Sequence, residues 1–175
     1  MRSPLDFYET PKEAVDALFD NIDISNVHSI LDPAAGSGAL IRGIENCVVT
    51  AVDIDNRHGA SLEKITPNVW LGDFLETNPK ALGYHSIVLA NPPYYLAEEF
   101  VKHSMLFCDN GYFLLRLNFL GSAKRKKWLK MTRPNIKVLS KRPSFTGDGR
   151  TDGTEYAWFH FSNSSRWKGG EWEII

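Results

Sequence analysis

A glycine-rich turn and three acids are the first residues with chemistry to offer. Asp32-Pro33-Ala34-Ala35-Gly36-Ser37-Gly38 follows an apolar run. Its glycines let the backbone turn tightly and approach a ligand, and a helix opening there would present backbone N–H groups. It is neither the G-x-G-x-x-G of a dinucleotide site nor a phosphate loop ending in Lys-Ser/Thr. Asp32, at its head, suits a ligand with a cationic end better than a pyrophosphate. Asp53 closes a second apolar run at the spacing from which a carboxylate accepts hydrogen bonds from ribose hydroxyls; nearby Asp55 reads equally as a helix cap. Gly72-Asp73-Phe74-Leu75 adds another carboxylate and an apolar face that could hold an adenine ring. Singly, each acid reads as a solvated loop residue or a cap. Three at three successive run ends point to one site. The fourth run ends in Asn91-Pro92-Pro93-Tyr94.

The elements that must position these residues alternate along the chain. Short β-branched or aromatic runs at 28–31, 47–52, 69–71, 86–90, 112–117, 136–139 and 156–161 read as strands covered on both faces. Helical patterns lie between them, at 11–21, 38–45, 57–64, 96–108 and 122–130. The first places Val15, Leu18, Phe19 and Ile22 on one face, with Thr10 as N-cap, Pro11 at the first helical position and Glu13 completing a capping box. This alternation predicts an α/β fold with a doubly wound, mostly parallel seven-stranded Rossmann-like sheet. The seventh strand follows the sixth through a Gly-containing loop without a helix, and is expected to pair antiparallel. Residues 1–161 form a single domain in this reading. Residues 162–175 are a polar tail in which 172–175 either add an edge segment or stay unstructured. Ligands in such sheets bind at the carboxyl ends of the strands, near the point where strand order reverses.

The chain has 175 residues and a net charge of −1, unevenly spread. Residues 1–114 carry 7 Lys/Arg against 16 Asp/Glu, whereas 115–150 carry 11 against 1. Such a block reads as a solvated face or as a contact for a polyanion, most simply nucleic acid. The two cysteines, Cys47 and Cys108, offer neither a disulfide framework nor a metal site, so no metal and a cytoplasmic location are expected. No apolar run reaches the roughly 18 residues of a membrane span, and residues 1–10 lack a signal-peptide core, so no membrane partner is expected.

Taken in order, Asp-Pro-x-x-Gly-x-Gly, an acid closing the second strand, Gly-Asp-Phe after the third and Asn-Pro-Pro-Tyr after the fourth resemble the S-adenosylmethionine-dependent N6-adenine DNA methyltransferases, particularly small phage-type members. The resemblance runs from about Phe7 to Phe161 and implies a class I methyltransferase sheet, S-adenosylmethionine as cofactor, DNA as partner and a bacterial host cytoplasm as its place. It implies Asn91, Pro92, Pro93 and Tyr94 as the catalytic residues. The exocyclic amine of adenine is a poor nucleophile because its lone pair is delocalised into the ring. Acceptors on the Asn91 side chain and the Pro92 carbonyl would draw the nitrogen toward a tetrahedral geometry. The prolines fix the backbone without adding donors, and Tyr94 would stack on the base. Transfer is then an in-line displacement assisted by positioning and electrostatics.

The resemblance also implies a cofactor site made by Tyr8, Thr10, Pro11, Asp32, Pro33, Ala34, Gly36, Gly38, Asp53, Ile54, Asp73, Phe74 and Asn91. Phe145, in Arg142-Pro143-Ser144-Phe145, would sandwich an extruded base with Tyr94, or else pack beneath the 147–149 turn. Lys124, Arg125, Lys126, Lys127, Lys130, Arg133, Arg142 and Arg150 would face the phosphate backbone, with Trp128, Leu129 and Met131 turned toward the core. Asn118 reads as a turn residue or a substrate contact. No segment is long enough for the separate recognition region of larger family members, which implies low or short-context specificity or a specificity partner. The expected assembly is a monomer or a homodimer. RNA adenine, protein glutamine, and a catalytically silent module binding cofactor or nucleic acid are the alternatives.

Overall fold

The computed structural model describes residues 8–145, 150–151 and 153–175; Phe7 and the 147–149 turn lie outside the described residues. Eight strands form one sheet: β1 (Ser29–Asp32), β2 (Val48–Asp53), β3 (Asn68–Leu71), β4 (His85–Ala90), β5 (Cys108–Arg116), β6 (Asn135–Val138), β7 (Tyr156–Ser162) and β8 (Trp172–Ile174). Their spatial order is β3-β2-β1-β4-β5-β7-β6-β8. Only β7 runs against the rest, antiparallel to both β5 and β6. The expected doubly wound sheet is therefore present. An eighth strand extends it, because 172–174 pairs in parallel with β6.

The central strands are apolar along their length because they are buried on both faces. Neighbouring residues Ile30 and Leu31 on β1 point into different cores, and both are inaccessible. One core gathers Val88, Phe100, Val101, Phe107, Phe113, Phe159 and Phe161 beneath α4 (Ala97–Ser104) and α5 (Lys126–Thr132). The other gathers Leu40, Ile41, Ile87, Leu114 and Trp158 beneath α1 (Lys12–Phe19). The Trp158 indole N–H donates to the Ala14 carbonyl at 2.9 Å, pinning α1 across β7.

Several boundaries differ from expectation, each for a local reason. Residues 38–45 form consecutive turns instead of a helix, since Gly38 and Gly43 both take positive φ (85° and 78°). A Cβ at Gly38 would meet Ile65 Cδ1 at 2.3 Å, so that glycine also allows close packing. The 57–64 helix shrinks to a 3₁₀ turn and α2 (Gly59–Leu62). A further short helix, α3 (Pro79–Leu82), precedes β4. β5 begins at Cys108, which ends the preceding helix at Ser104, and α5 starts at Lys126, four residues later than expected. Met131 is 71% exposed, not core. The capping box is not formed: Pro11 is the N-cap and no side chain caps the helix. Thr10 and Glu13 are committed elsewhere, as the site shows. Among the described residues no helix is long and apolar enough to cross a membrane.

Phe113 is fully buried on β5 and meets the Phe161 ring edge-on at 6.0 Å. Phe113→Ala should lower stability by about 3–5 kcal/mol. Urea unfolding should show this as a lower midpoint at unchanged slope. A loss below about 1 kcal/mol would mean the core collapses around the gap.

Candidate active site

Parallel strands place their carboxyl ends along one edge, and the chain diverges there between β1 and β4. An open cleft of about 750 Å³ lies at that divide. Tyr8, Thr10, Pro33, Ala34, Asp53, Ile54, Asp73, Phe74, Asn91, Pro92, Pro93, Tyr94 and Asn118 all line it. Residues from the ends of β1 to β5 and from the segment before α1 thus meet in one cavity.

Asn91 holds the centre. Its Nδ2 donates to Thr10 Oγ1 at 3.1 Å and toward the Tyr8 carbonyl at 3.5 Å. Its Oδ1 accepts from the Tyr94 hydroxyl at 3.0 Å. A carbonyl oxygen can only accept, so the neighbour Tyr8 O fixes which end of the amide carries nitrogen. Thr10 therefore serves the site instead of capping α1. The Glu13 side chain likewise bonds away from its own helix, its Oε1 accepting from the Ser144 backbone N–H at 3.2 Å.

The acids divide into two kinds. Asp53 organises the loops: its Oδ2 accepts from Gly36 N–H at 2.6 Å and its Oδ1 from Asp55 N–H at 2.8 Å. Asp55 caps the 3₁₀ turn after β2 and pairs with Arg57. Asp73 caps the turn after β3 through Leu75 N–H at 2.9 Å. Asp32 stands apart. It is 1% exposed, does not line the cleft, and accepts from Ala34 N–H at 3.2 Å. Burial, opposed by that hydrogen bond and reinforced by the Asp53 charge, pushes its carboxyl up to about 8. Asp32 thus supports the turn from beneath and offers no surface to a ligand, which corrects its expected place in the cofactor site. Pro11, Gly36 and Gly38 also lie behind the lining.

The aromatic residues do gather, but not as a sandwich. Tyr94 and Phe145 meet edge-to-face, centroids 6.3 Å apart and planes at 77°. Tyr8 meets Phe145 at 6.1 Å, and Tyr156 packs against both Tyr94 (5.6 Å) and Phe145 (5.0 Å). Perpendicular rings in contact leave no slot for a third ring, so the expected sandwich is not formed in this arrangement. Arg116 was not singled out by its sequence. Its guanidinium lies 4.8 Å above the Tyr94 ring and its Nε donates to Tyr156 Oη at 3.1 Å. The available signal was its place as the last residue of a strand entering the site.

The basic residues split. Lys124 and Arg125 line a small polar pocket beside the cleft. Arg125 is largely engaged, donating to the Phe119 carbonyl at 2.9 Å and stacking on that ring at 4.5 Å. Lys126, Lys127 and Lys130 are exposed on α5. Arg133 lies beyond the C-terminal end of α5, at the sheet end opposite the cleft, and its carbonyl accepts from Gly170 N–H at 2.8 Å. It is thus far from any ligand in the cleft. Arg142 pairs with Glu155 at the cleft end, and Arg150 is exposed nearby in sequence.

No family model matches the chain, and no curated protein matches it. Solved structures do. A candidate RNA methyltransferase from Pyrococcus horikoshii aligns at a TM-score of 0.70 and 18% identity, over 90% of this chain and 87% of that one. A candidate class I S-adenosylmethionine-dependent methyltransferase from Listeria monocytogenes aligns at 0.68 and 16%, over 93% and 62%. A candidate modification subunit of a type I restriction enzyme from Vibrio vulnificus aligns at 0.65 and 15%, over 98% and 48%, so this chain spans about half its length. Strand order and these likenesses define the fold as the class I methyltransferase fold.

The buried Asp32 carries a pH signature. Its folded value, about 8, exceeds its ordinary 3.8. Between those values the native state holds a proton that the unfolded chain has lost, so stability falls as pH rises and levels off above about 8. Asp32→Asn keeps the acceptor for Ala34 without that penalty. Urea titrations should show the variant gaining on the parent progressively from pH 4 to pH 8. A difference independent of pH would contradict a neutral buried Asp32.

Proposed function

We propose that the chain transfers a methyl group from S-adenosylmethionine to the N6 amine of adenine in DNA. The orientation of the Asn91 carboxamide carries this reading. Its nitrogen is occupied by Thr10 and Tyr8 on the protein side, so its oxygen is presented to the cleft. That oxygen takes the Tyr94 hydroxyl on one lone pair and retains capacity for a second donor. An amine N–H donating to it and another donating to the Pro92 carbonyl would lose planarity and expose its lone pair for attack.

The cleft fits the cofactor. Its volume lies within the usual range for sites of this kind. Carboxylates Asp53 and Asp73 suit ribose hydroxyls and a cationic end, while Ile54 and Phe74 bring apolar surface for a purine. The cofactor supplies an electrophilic methyl on a positively charged sulfur. On that reading the amine nitrogen would take the methyl carbon while the electron pair of the carbon–sulfur bond stays with the sulfur, and the amine proton would pass to water in the open cleft. Asn91 and Pro92 orient the amine, and Tyr94 supports the base through its ring face. The perpendicular Phe145 must turn or withdraw if it is to cover the other face.

The exposed lysines of α5 and Lys124 at the cleft end supply a surface for phosphates. Permissive or short-context methylation, with most contacts falling on phosphates, belongs to this reading. RNA is the second reading, favoured by the likeness to a candidate RNA methyltransferase.

The deciding experiment incubates the protein with labelled cofactor and either DNA, RNA or protein, then identifies the modified nucleoside or residue. N6-methyladenine in DNA is expected; N6-methyladenosine confined to RNA would transfer the assignment, and methylglutamine would end it. Asn91→Ala should lower turnover by about 10²–10³. Near-normal turnover would remove Asn91 from the chemistry. Lys126→Ala with Lys127→Ala should weaken all sequences about equally. It should also shallow the slope of log affinity against log salt by about 0.9 for each phosphate of duplex DNA left without its lysine. An unchanged slope would take those lysines off the backbone.

A further inference from the structure

We propose that Tyr95 stacks on the base next to the target nucleotide, so that the polar pocket beside the cleft takes an unpaired nucleobase. The inference rests on the methyl-transfer reading and goes beyond it by giving the second pocket a ligand. That pocket, about 140 Å³, shares Tyr95 and Asn118 with the cleft. Tyr95 follows the catalytic segment directly, in the 3₁₀ turn Tyr94–Leu96. Two prolines precede the turn, and the Leu96 N–H donates to the Pro93 carbonyl at 2.9 Å, so its backbone is held. Successive side chains point about 120° apart around a turn of three residues. Tyr94 accordingly packs against Phe145 and Tyr156, whereas Tyr95 is 72% exposed. Of the other aromatic residues lining the cleft, Phe74 and Phe100 are buried and Tyr8 is 43% exposed. An open ring on a rigid turn is a stacking platform, and every base has a face to lay on it.

The charges of the pocket favour a base over a phosphate. Glu98 and Glu99 line it together with Lys124 and Arg125. Glu98 is held by Lys102 at 2.6 Å and faces Arg125 at 3.9 Å, while Glu99 is exposed. Two carboxylates oppose an anion. A neutral ring with polar edges carries no charge for them to repel, and the Asn118 amide can donate to it or accept from it. A neighbouring base reaches Tyr95 most cheaply where it has no pairing partner to leave. The site therefore favours target adenines whose neighbour is unpaired.

The test uses a single-stranded oligonucleotide with one target adenine, of whichever nucleic acid the wild type methylates. It is compared with copies in which the base 5′ or 3′ of that adenine is removed, leaving an abasic sugar. Affinity is read by fluorescence anisotropy in the presence of the demethylated cofactor, and kcat is measured separately. Tyr95→Ala, and the abasic sugar at one of the two positions, should each weaken binding about fivefold to a hundredfold. Combined, they should cost no more than either alone, and Tyr95→Phe, which keeps the ring, should bind as the wild type does. Unchanged affinity in Tyr95→Ala, or a wild type indifferent to both abasic copies, would overturn the proposal. So would losses that multiply at both positions, or a Tyr95→Phe as weak as Tyr95→Ala. A fall in kcat at unchanged affinity would overturn it too, making Tyr95 a support for the catalytic turn alone. A wild type that methylates adenine in no oligonucleotide would instead overturn the methyl-transfer reading, a result distinct from any of these in an active enzyme.

Discussion

The Asn91 carboxamide ties the segment before α1 to the end of β4, and the cleft exists in its present shape because of that tie. The same segment is tied to the loop after β1 as well, where the Glu9 carboxylate accepts from the Ser37 hydroxyl at 2.6 Å. The amide makes two demands at once. Its nitrogen needs acceptors, which the N-terminal segment supplies, and its oxygen needs donors, which the protein satisfies only in part through Tyr94. A buried or half-buried amide with spare acceptor capacity facing a cavity is a recognition element for an N–H group.

The same wall is braced at a second level. Trp158 holds α1 on the sheet, and Glu13 on that helix receives the Ser144 N–H from the loop between β6 and β7. The loop brings Phe145 against Tyr8, Tyr94 and Tyr156. Four aromatic rings, Tyr8, Tyr94, Phe145 and Tyr156, therefore share one cluster. The antiparallel direction of β7 is what makes this possible, since it returns the chain to the carboxyl-end edge at Tyr156. A parallel seventh strand would have carried that ring to the far side of the sheet.

The strands were legible because double burial demands continuous apolar runs, and the site was legible because polar residues interrupt those runs at their ends. What failed was local. Thr10-Pro11-Lys12-Glu13 has the form of a capping box, yet both polar members bond across the fold, at separations that helix spacing cannot encode. Residues 38–45 are apolar enough for a helix, but close packing of Gly38 on Ile65 and positive φ at two glycines dictate turns. β8 was undecidable because an edge strand of three exposed residues leaves little pattern. Asp32 stood at the right place in the motif, but only its surroundings reveal that it is sealed beneath the loop and not open to the cleft. Arg116 was hidden among the other cations of its block, and its stacking on Tyr94 depends on the pairing of β5 with β7.

Charge separation along the chain becomes charge separation across the site. The strand order places β1, β2 and β3 on one side of the divide and β5, β7 and β6 on the other. The acidic first part of the sequence therefore lines one half of the cleft with Asp53, Asp55 and Asp73. Of the basic block, Arg116 lines the other half, Lys124 and Arg125 line the pocket beside it with Glu98 and Glu99, and the exposed lysines follow on α5. A ligand with a cationic end gains from the first half and is repelled by the second; a polyanion experiences the reverse. Two ligands of opposite charge can thus occupy one open cavity without exchanging places. Asn91 sits between the two fields at the end of β4, where a group carried by one ligand would meet an amine carried by the other. On the proposed reading, the uneven sequence charge is the device that sorts cofactor from nucleic acid before any shape-specific contact forms.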